Sequence, residues 1–112
     1  LPRLIGEEQA KRLLFLDQPW DAARALAAGL VGEVCADEQL LQVAGALAAR
    51  LAAGPTFAFA QTKSLICEGA QRTLAAQLEA ELAAGLLCGR SEDGAEALRA
   101  AMEKRTPHFI GR

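Results

Sequence analysis

The chain of 112 residues has the length of one ordinary small domain, and its formal net charge of −2 gives no reason to expect nucleic-acid binding. Hydrophobic residues make up 52% and charged residues 23%, which excludes a disordered composition. Alanine supplies 25 residues and aromatic residues only 4%, so the sequence favours helix but offers little buried area per residue. We therefore predict an all-α fold of about five to six helices whose stability depends on a partner surface.

The first third of the chain predicts short helices. Leu1 to Ile5 is apolar from its first residue, which is unusual for a free terminus and suggests an element cut from something longer. A helix is predicted from Gly6 to about Leu16, and a second short helix follows Asp21 as N-cap and ends before Gly29 as C′ residue. Residues 30–35 (LVGEVC) are the one extended segment, which either stays extended or pairs with something absent, because one strand forms no sheet.

Three longer helices are predicted over Glu38–Ala53, Thr56 to about Gly69, and Leu74 to about Cys88, with a break at Gly89-Arg90. The third carries four leucines at i+4 spacing, and the same side of the helix otherwise holds alanine. The four residues are Leu74, Leu78, Leu82 and Leu86. This leucine face is either an intrachain core face or a subunit contact, and the sequence leaves both open.

The last 22 residues combine a helix start, an amphipathic helix, a basic helix end and a stop. Ser91 can cap the helix, and Glu92 and Asp93 suit the positive end of its dipole. The predicted apolar face consists of Leu98, Ala101 and Met102, the cations at the end are Lys104 and Arg105, and the stop is Pro107. This segment is therefore expected to dock by its apolar face and to hold two cations at its end.

No residue pattern in the chain indicates catalysis or metal binding. The only histidine, His108, lies near the end of the chain, and three of the four acidic pairs stand at predicted helix starts, where the helix dipole explains them. The cysteines Cys35, Cys67 and Cys88 form no CxxC pair and are expected to be small buried residues of a reducing, cytoplasmic compartment. No run of about 18 apolar residues predicts a membrane span.

Several short motifs stand in order along the chain: LPRLIG at 1–6, ALAAGLVGEV at 25–34, SEDGAE at 91–96 and EKRTP at 103–107, followed by Phe109 and Gly111. Together they resemble the C-terminal region of the enoyl-CoA hydratase/isomerase (crotonase) superfamily. The resemblance implies that residues 1–112 are a single helical region and a C-terminal fragment of a longer enzyme. It also implies that the acids and oxyanion-hole N–H groups lie upstream, so this chain contains no catalytic residue.

The same resemblance implies partners and one binding residue. The parent enzyme would act on acyl-CoA thioesters in fatty acid metabolism, as a hydratase (a lyase) or an isomerase, with coenzyme A entering as substrate and no separate cofactor. The region would pack subunits into a homo-oligomer, a trimer or a dimer of trimers, and cover the CoA end of the site. Lys104 matches the lysine that contacts CoA in some members, often from a neighbouring subunit, although Ala101 stands where the family often has phenylalanine.

Three alternatives remain at this point. Residues 54–57, 73–74, 77–79, 89–91 and 107–109 resemble a narrower branch that includes phenylacetyl-CoA ring-epoxide isomerases. A different class of function is a complete, non-catalytic helical interaction module that binds a partner through the leucine face. A third possibility is that Lys104 and Arg105 bind CoA within this chain itself.

Overall fold

The computed structural model describes residues 1–112 as seven α-helices and one 3-10 turn, without a strand, and confirms the all-α prediction. The helices are α1 (Pro2–Ile5), α2 (Glu7–Leu16), α3 (Ala22–Ala27), α4 (Leu40–Ala52), α5 (Thr56–Gly69), α6 (Leu74–Arg90) and α7 (Glu92–Glu103). The chain forms two compact units, Leu1–Val43 and Ala44–Arg112.

In the first unit, α3 has the predicted caps at both ends. The Asp21 carboxylate accepts a hydrogen bond from the Arg24 amide at 2.7 Å. Gly29 has φ 75°, and the amides of Gly29 and Leu30 donate to the carbonyls of Leu26 and Ala25 at 3.0 and 2.9 Å. This pair of bonds is a Schellman motif, in which the left-handed residue after the helix is most often glycine.

The segment that follows α3 forms no strand. Residues 30–32 are bends and residues 33–36 are irregular, since a lone extended segment has no neighbour with which to exchange hydrogen bonds. The helix predicted over Glu38–Ala53 begins as a 3-10 turn at Asp37–Gln39 and becomes α-helical only from Leu40 to Ala52. Acidic residues occupy that first turn, as the sequence predicts.

The second unit contains the C-terminal helices, in which α6 contacts both α5 and α7. The Thr73 hydroxyl accepts from the Ala76 amide at 3.2 Å, which confirms the predicted start of α6. The break predicted at Gly89-Arg90 is wrong by two residues. α6 continues through Arg90, and the chain leaves the helix at Ser91, whose backbone is extended with φ −74° and ψ 161°.

The buried core is small, and most large apolar side chains are exposed. Only Ile5, Ala10, Ala25, Ala84 and Ala100 are buried apolar residues. The chain exposes 8720 Å², whereas a folded monomer of its mass exposes roughly 5900 Å². The leucine face is 52–76% exposed, so it is not a core face within these 112 residues. Taken one at a time, the helices lack the combination of length and hydropathy that a membrane span needs. Residues 37–52 and 56–69 reach it only together, as a pair bent by 103°.

The predicted burial of the three cysteines is wrong. Cys67 is exposed, Cys35 and Cys88 are partly exposed, and all three are free thiols. The cause is the small core, because alanine-rich helices bury little beyond the alanines where they touch. The side chains that the sequence pattern assigns to an interior therefore remain at the surface of this chain.

Candidate functional site

The sharp corner between α6 and α7 sets the position of the last helix. The Ser91 hydroxyl accepts a hydrogen bond from the Gly94 amide at 2.9 Å and donates one to the Cys88 carbonyl at 2.7 Å. One side chain therefore closes the end of α6 and caps the start of α7, as its predicted capping role requires. Gly94 lies directly against the Cys88 carbonyl, so the two helices meet without space for a side chain at position 94.

Lys104 ends α7 in an unusual backbone conformation. Its φ is 52° and its ψ 41°, in the left-handed region. The Lys104 and Arg105 amides donate to the carbonyls of Ala101 and Ala100 at 3.3 and 3.0 Å. This is the same Schellman motif that Gly29 forms after α3, with lysine in place of glycine. A lysine there costs roughly 1 kcal/mol relative to the right-handed region.

The structure separates the two cations that the sequence predicts at this helix end. The Arg105 guanidinium is held by Glu96, with Nη1 to Oε1 at 2.5 Å and Nη2 to Oε2 at 3.0 Å. Its Nε donates to the Glu103 carboxylate at 2.5 Å. Lys104 is exposed, and no carboxylate lies within ion-pairing distance of its ammonium. Lys104 is therefore the cation available to a ligand.

Glu96 connects three parts of the segment. Besides Arg105, it accepts from the His108 amide at 3.0 Å and from Arg99 at 3.4 Å. The hydrogen bonds from Arg105, and then that from the His108 amide, lower the pKa of Glu96 to about 2. The same pairing raises the pKa of Arg105 above its already high ordinary value. Glu96 is therefore ionised, and Arg105 charged, across the physiological pH range.

The lowered pKa of Glu96 makes part of the stability depend on pH. Because the folded-state pKa, about 2, lies below the ordinary value of 4.5, the contribution is fully present above about pH 4.5 and is lost as the pH falls towards 2. The free energy of unfolding of wild type should exceed that of Glu96→Gln at pH 7, and the gap should narrow between pH 4.5 and 2. Urea titrations of both proteins at each pH measure this difference in the free energy of unfolding. A difference that stays constant with pH would contradict the lowered pKa of Glu96.

Asp93 clamps the end of the chain. It is a buried charged side chain, 4% exposed. Its two oxygens accept from the amides of Ile110 and Gly111 at 2.7 and 2.9 Å, and its own amide donates to the main-chain oxygen of Arg112 at 2.9 Å. The sequence explained Asp93 by the helix dipole alone. No pattern in the sequence indicates the clamp, because the partners of the carboxylate lie 17 and 18 positions further along the chain.

The concave surface of the second unit is apolar. A pocket of about 270 Å³ is lined by Pro55, Ala58, Cys88, Ala97 and Phe109, among others. Asp93 reaches its wall, but both carboxylate oxygens are occupied by tail amides. No group of three or more histidine, cysteine, aspartate or glutamate side chains could hold a metal ion. The second unit therefore provides an apolar surface, and Lys104 is the unpaired, exposed cation at the end of α7.

Comparison with known proteins identifies relatives over the whole chain. A family model described as enoyl-CoA hydratase/isomerase matches residues 1–112. The 1,2-epoxyphenylacetyl-CoA isomerase of Escherichia coli K12 is 37% identical over 100% of this chain and 43% of its own length. The crotonyl-CoA hydratase of Syntrophomonas wolfei is 33% identical, again over 100% of this chain and 43% of the relative.

Solved structures agree with the sequence relatives. A Mycobacterium abscessus protein described as enoyl-CoA hydratase/isomerase superimposes with a TM-score of 0.96 at 40% identity, covering 99% of this chain and 43% of that one. The chain thus spans less than half the length of the relatives it matches. The motif order, the helical structure and the family match over all 112 residues lead to one conclusion: the chain belongs to the enoyl-CoA hydratase/isomerase family.

Proposed function

We propose that these 112 residues are the C-terminal helical portion of an acyl-CoA hydratase or isomerase and are not catalytic on their own. The parent reaction is water addition to, or double-bond migration in, an enoyl thioester, with the proton-transferring acids and oxyanion-hole donors supplied by residues outside this chain. The match to 43% of each relative supports this reading. A location in the cytoplasm and a place in fatty acid metabolism belong to the same proposal.

The exposed apolar surface supports a role in assembly. Burying the excess of exposed surface over a typical monomer of this mass would stabilise the chain, because apolar area removed from water contributes about 25 cal/mol per Å². The leucine face, with Leu98 and Met102 at 65% and 77% exposure, is available for contacts with upstream residues of the parent enzyme and with neighbouring subunits. We propose that the full protein is a homo-oligomer, a trimer or a dimer of trimers, in which these surfaces are covered.

The observation that carries the ligand assignment is the left-handed, unpaired Lys104. A non-glycine residue in this conformation costs stability, and such strain is typical of functional positions. The ammonium lies at a helix end fixed by two backbone bonds, and neighbouring carboxylates engage Arg105 instead. We propose that Lys104 contacts the phosphates or adenine edge of CoA, in its own subunit or a neighbouring one.

Replacing Lys104 tests this function in the full-length gene product. Lys104→Ala should raise the KM for an acyl-CoA substrate about tenfold with little change in kcat, since one charge-assisted contact is lost. Lys63→Ala, which removes another exposed lysine, is the matched control and should leave KM unchanged. An unchanged KM in Lys104→Ala would remove this residue from the CoA site.

A glycine at the same position separates ligand binding from stability. Lys104→Gly should raise the free energy of unfolding by about 0.5–1 kcal/mol, because glycine accepts the left-handed backbone, and should raise KM as Lys104→Ala does. Asp17 has the same backbone conformation, with φ 48°, so Asp17→Gly is the control that relieves strain without changing KM. Urea unfolding and steady-state kinetics measure the two effects, and a lower stability of Lys104→Gly would contradict the strain.

Two other functions have a specific observation in their favour. The 37% identity to 1,2-epoxyphenylacetyl-CoA isomerase supports a parent enzyme of that branch. The exposed leucine face supports a stand-alone interaction module. An open reading frame that continues about 130–160 residues upstream favours the enzyme, and a start codon just before Leu1 favours the module. Crotonyl-CoA hydration by the 112-residue chain should be undetectable, and measurable turnover would contradict the proposed division of roles.

A further inference from the structure

Two carboxylates one helical turn apart on α7 hold the segment that surrounds Lys104. Both carboxylate oxygens of Glu96 accept hydrogen bonds from Arg105, and one of them also accepts from the His108 amide. The Glu96 side chain is only 13% exposed. Asp93 grips the amides of Ile110 and Gly111. These two carboxylates therefore fasten the chain after α7 back onto the helix at four points, and the bond from the Asp93 amide to the main-chain oxygen of Arg112 adds a fifth. The fastened segment contains no regular secondary structure.

Lys104 lies between the helix and the first of these anchors. The Schellman bonds, donated by the Lys104 and Arg105 amides, hold the backbone on both sides of Lys104, and Glu96 holds the Arg105 side chain in addition. The lysine side chain itself has no partner and four rotatable bonds. Since nothing holds the ammonium directly, its reach towards a ligand depends on where the backbone places its Cα atom.

We propose that Glu96 is a positioning residue for Lys104: its bidentate bond to Arg105 fixes the left-handed turn from which Lys104 extends towards the CoA phosphates. The inference rests on the proposed function of Lys104. Glu96 does not touch the ligand and takes no part in the reaction. Glu96 holds the turn through the side chain of Arg105. The second cation of this helix end is therefore paired with a carboxylate and does not bind the ligand.

The direction of the change in KM distinguishes a positioning role of Glu96 from a purely electrostatic one. Glu96→Gln removes a negative charge, and electrostatics alone would then strengthen the binding of the anionic CoA and lower KM. Loss of positioning weakens the contact of Lys104 and raises KM. Arg105→Lys provides a second route, because it keeps the charge but loses the planar fork that bonds both carboxylate oxygens.

The experiment uses the full-length gene product with two substrates that share one acyl group. One is the acyl-CoA, and the other is the acyl-pantetheine thioester, which lacks the phosphates and adenine. Glu96→Gln and Arg105→Lys should each raise the KM for acyl-CoA about 3- to 10-fold, change kcat by less than about twofold, and leave the KM for acyl-pantetheine unchanged. Glu79→Gln, which removes an exposed carboxylate on α6, should leave both KM values unchanged.

The double variant Glu96→Gln/Lys104→Ala completes the test. If Glu96 acts through Lys104, the double variant should have the KM of Lys104→Ala alone, because the two losses are not additive. A normal or lowered KM in Glu96→Gln and Arg105→Lys, beside a raised KM in Lys104→Ala, overturns this inference and leaves the proposed function standing. An equal rise with acyl-pantetheine also overturns it. No effect of Lys104→Ala itself overturns the proposed function instead.

Discussion

Replacing Gly94 with alanine should lower the free energy of unfolding by about 2–4 kcal/mol. A Cβ atom at this position would collide with the Cys88 carbonyl and press on the carbonyl carbon of Gly89. Both obstacles are backbone, so the clash is relieved only if the corner between α6 and α7 opens. Opening that corner would also strain the Ser91 bonds that cap α7.

A glycine-to-alanine substitution in α6 should have the opposite effect on the free energy of unfolding. Gly85 is helical and has open space where a Cβ atom would lie, so Gly85→Ala should stabilise the protein by about 0.5–1 kcal/mol through helix propensity alone. Urea unfolding of the two variants and wild type measures both effects. A Gly94→Ala variant as stable as wild type would mean that the close approach of the two helices is not a feature of the folded protein.

Replacing Asp93 with asparagine should lower the free energy of unfolding by about 2–3 kcal/mol. The aspartate offers one charged oxygen to each of two tail amides. Asparagine has one oxygen and one NH₂ group, so one of the two amide N–H groups would face a donor in a buried position. The cost combines a lost charge-assisted bond with an unsatisfied buried N–H group.

The neighbouring acid provides the matched control. Glu92 carries the same charge next to Asp93, but it is 63% exposed and pairs only with Arg112, at 3.2 Å. Glu92→Gln should change stability by less than about 0.5 kcal/mol, as exposed ion pairs usually do. Limited proteolysis adds a local readout, because release of the tail in Asp93→Asn should expose the Arg105–Thr106 bond to trypsin. Equal stability and equal cleavage of the Asp93→Asn and Glu92→Gln variants would contradict the clamp.

Local chemistry made much of the fold predictable. Caps at Asp21, Thr73 and Ser91 and the left-handed Gly29 were assigned correctly, because each depends on side chains and backbone groups within a few residues. α5 has the predicted bounds, Thr56–Gly69, since a Gly-Pro pair precedes it. The motif order also led to the family, which the family model confirms.

The structural features that could not be predicted from the sequence depend on contacts between residues far apart in the chain. Asp93 looked like a dipole residue because its tail partners lie 17 and 18 positions further along the chain. Lys104 and Arg105 looked equivalent, since nothing in their spacing reveals that Glu96, nine positions before Arg105, engages only the arginine. The left-handed backbone of Lys104 was also not predictable, because lysine has no preference for that region.

The leucine face illustrates a different limit. The i+4 pattern correctly located an apolar side on α6, but a periodic pattern describes which residues share a face and not what covers it. The exposure of Leu74, Leu78, Leu82 and Leu86 shows that no other part of these 112 residues covers this face. The predicted burial of the cysteines was wrong for a related reason: apolar neighbours in the sequence do not guarantee burial in an alanine-rich chain.

The most direct test of the account is the crystal structure of the full-length gene product with CoA bound, in which one distance is measured. We expect the Lys104 Nζ atom to lie about 3 Å from a phosphate or adenine acceptor atom of a CoA molecule, in the same subunit or a neighbouring one. The Glu96–Arg105 pair should remain intact beside it. An Nζ atom farther than about 8 Å from every CoA in the assembly, beyond the reach of screened electrostatics, would contradict the account.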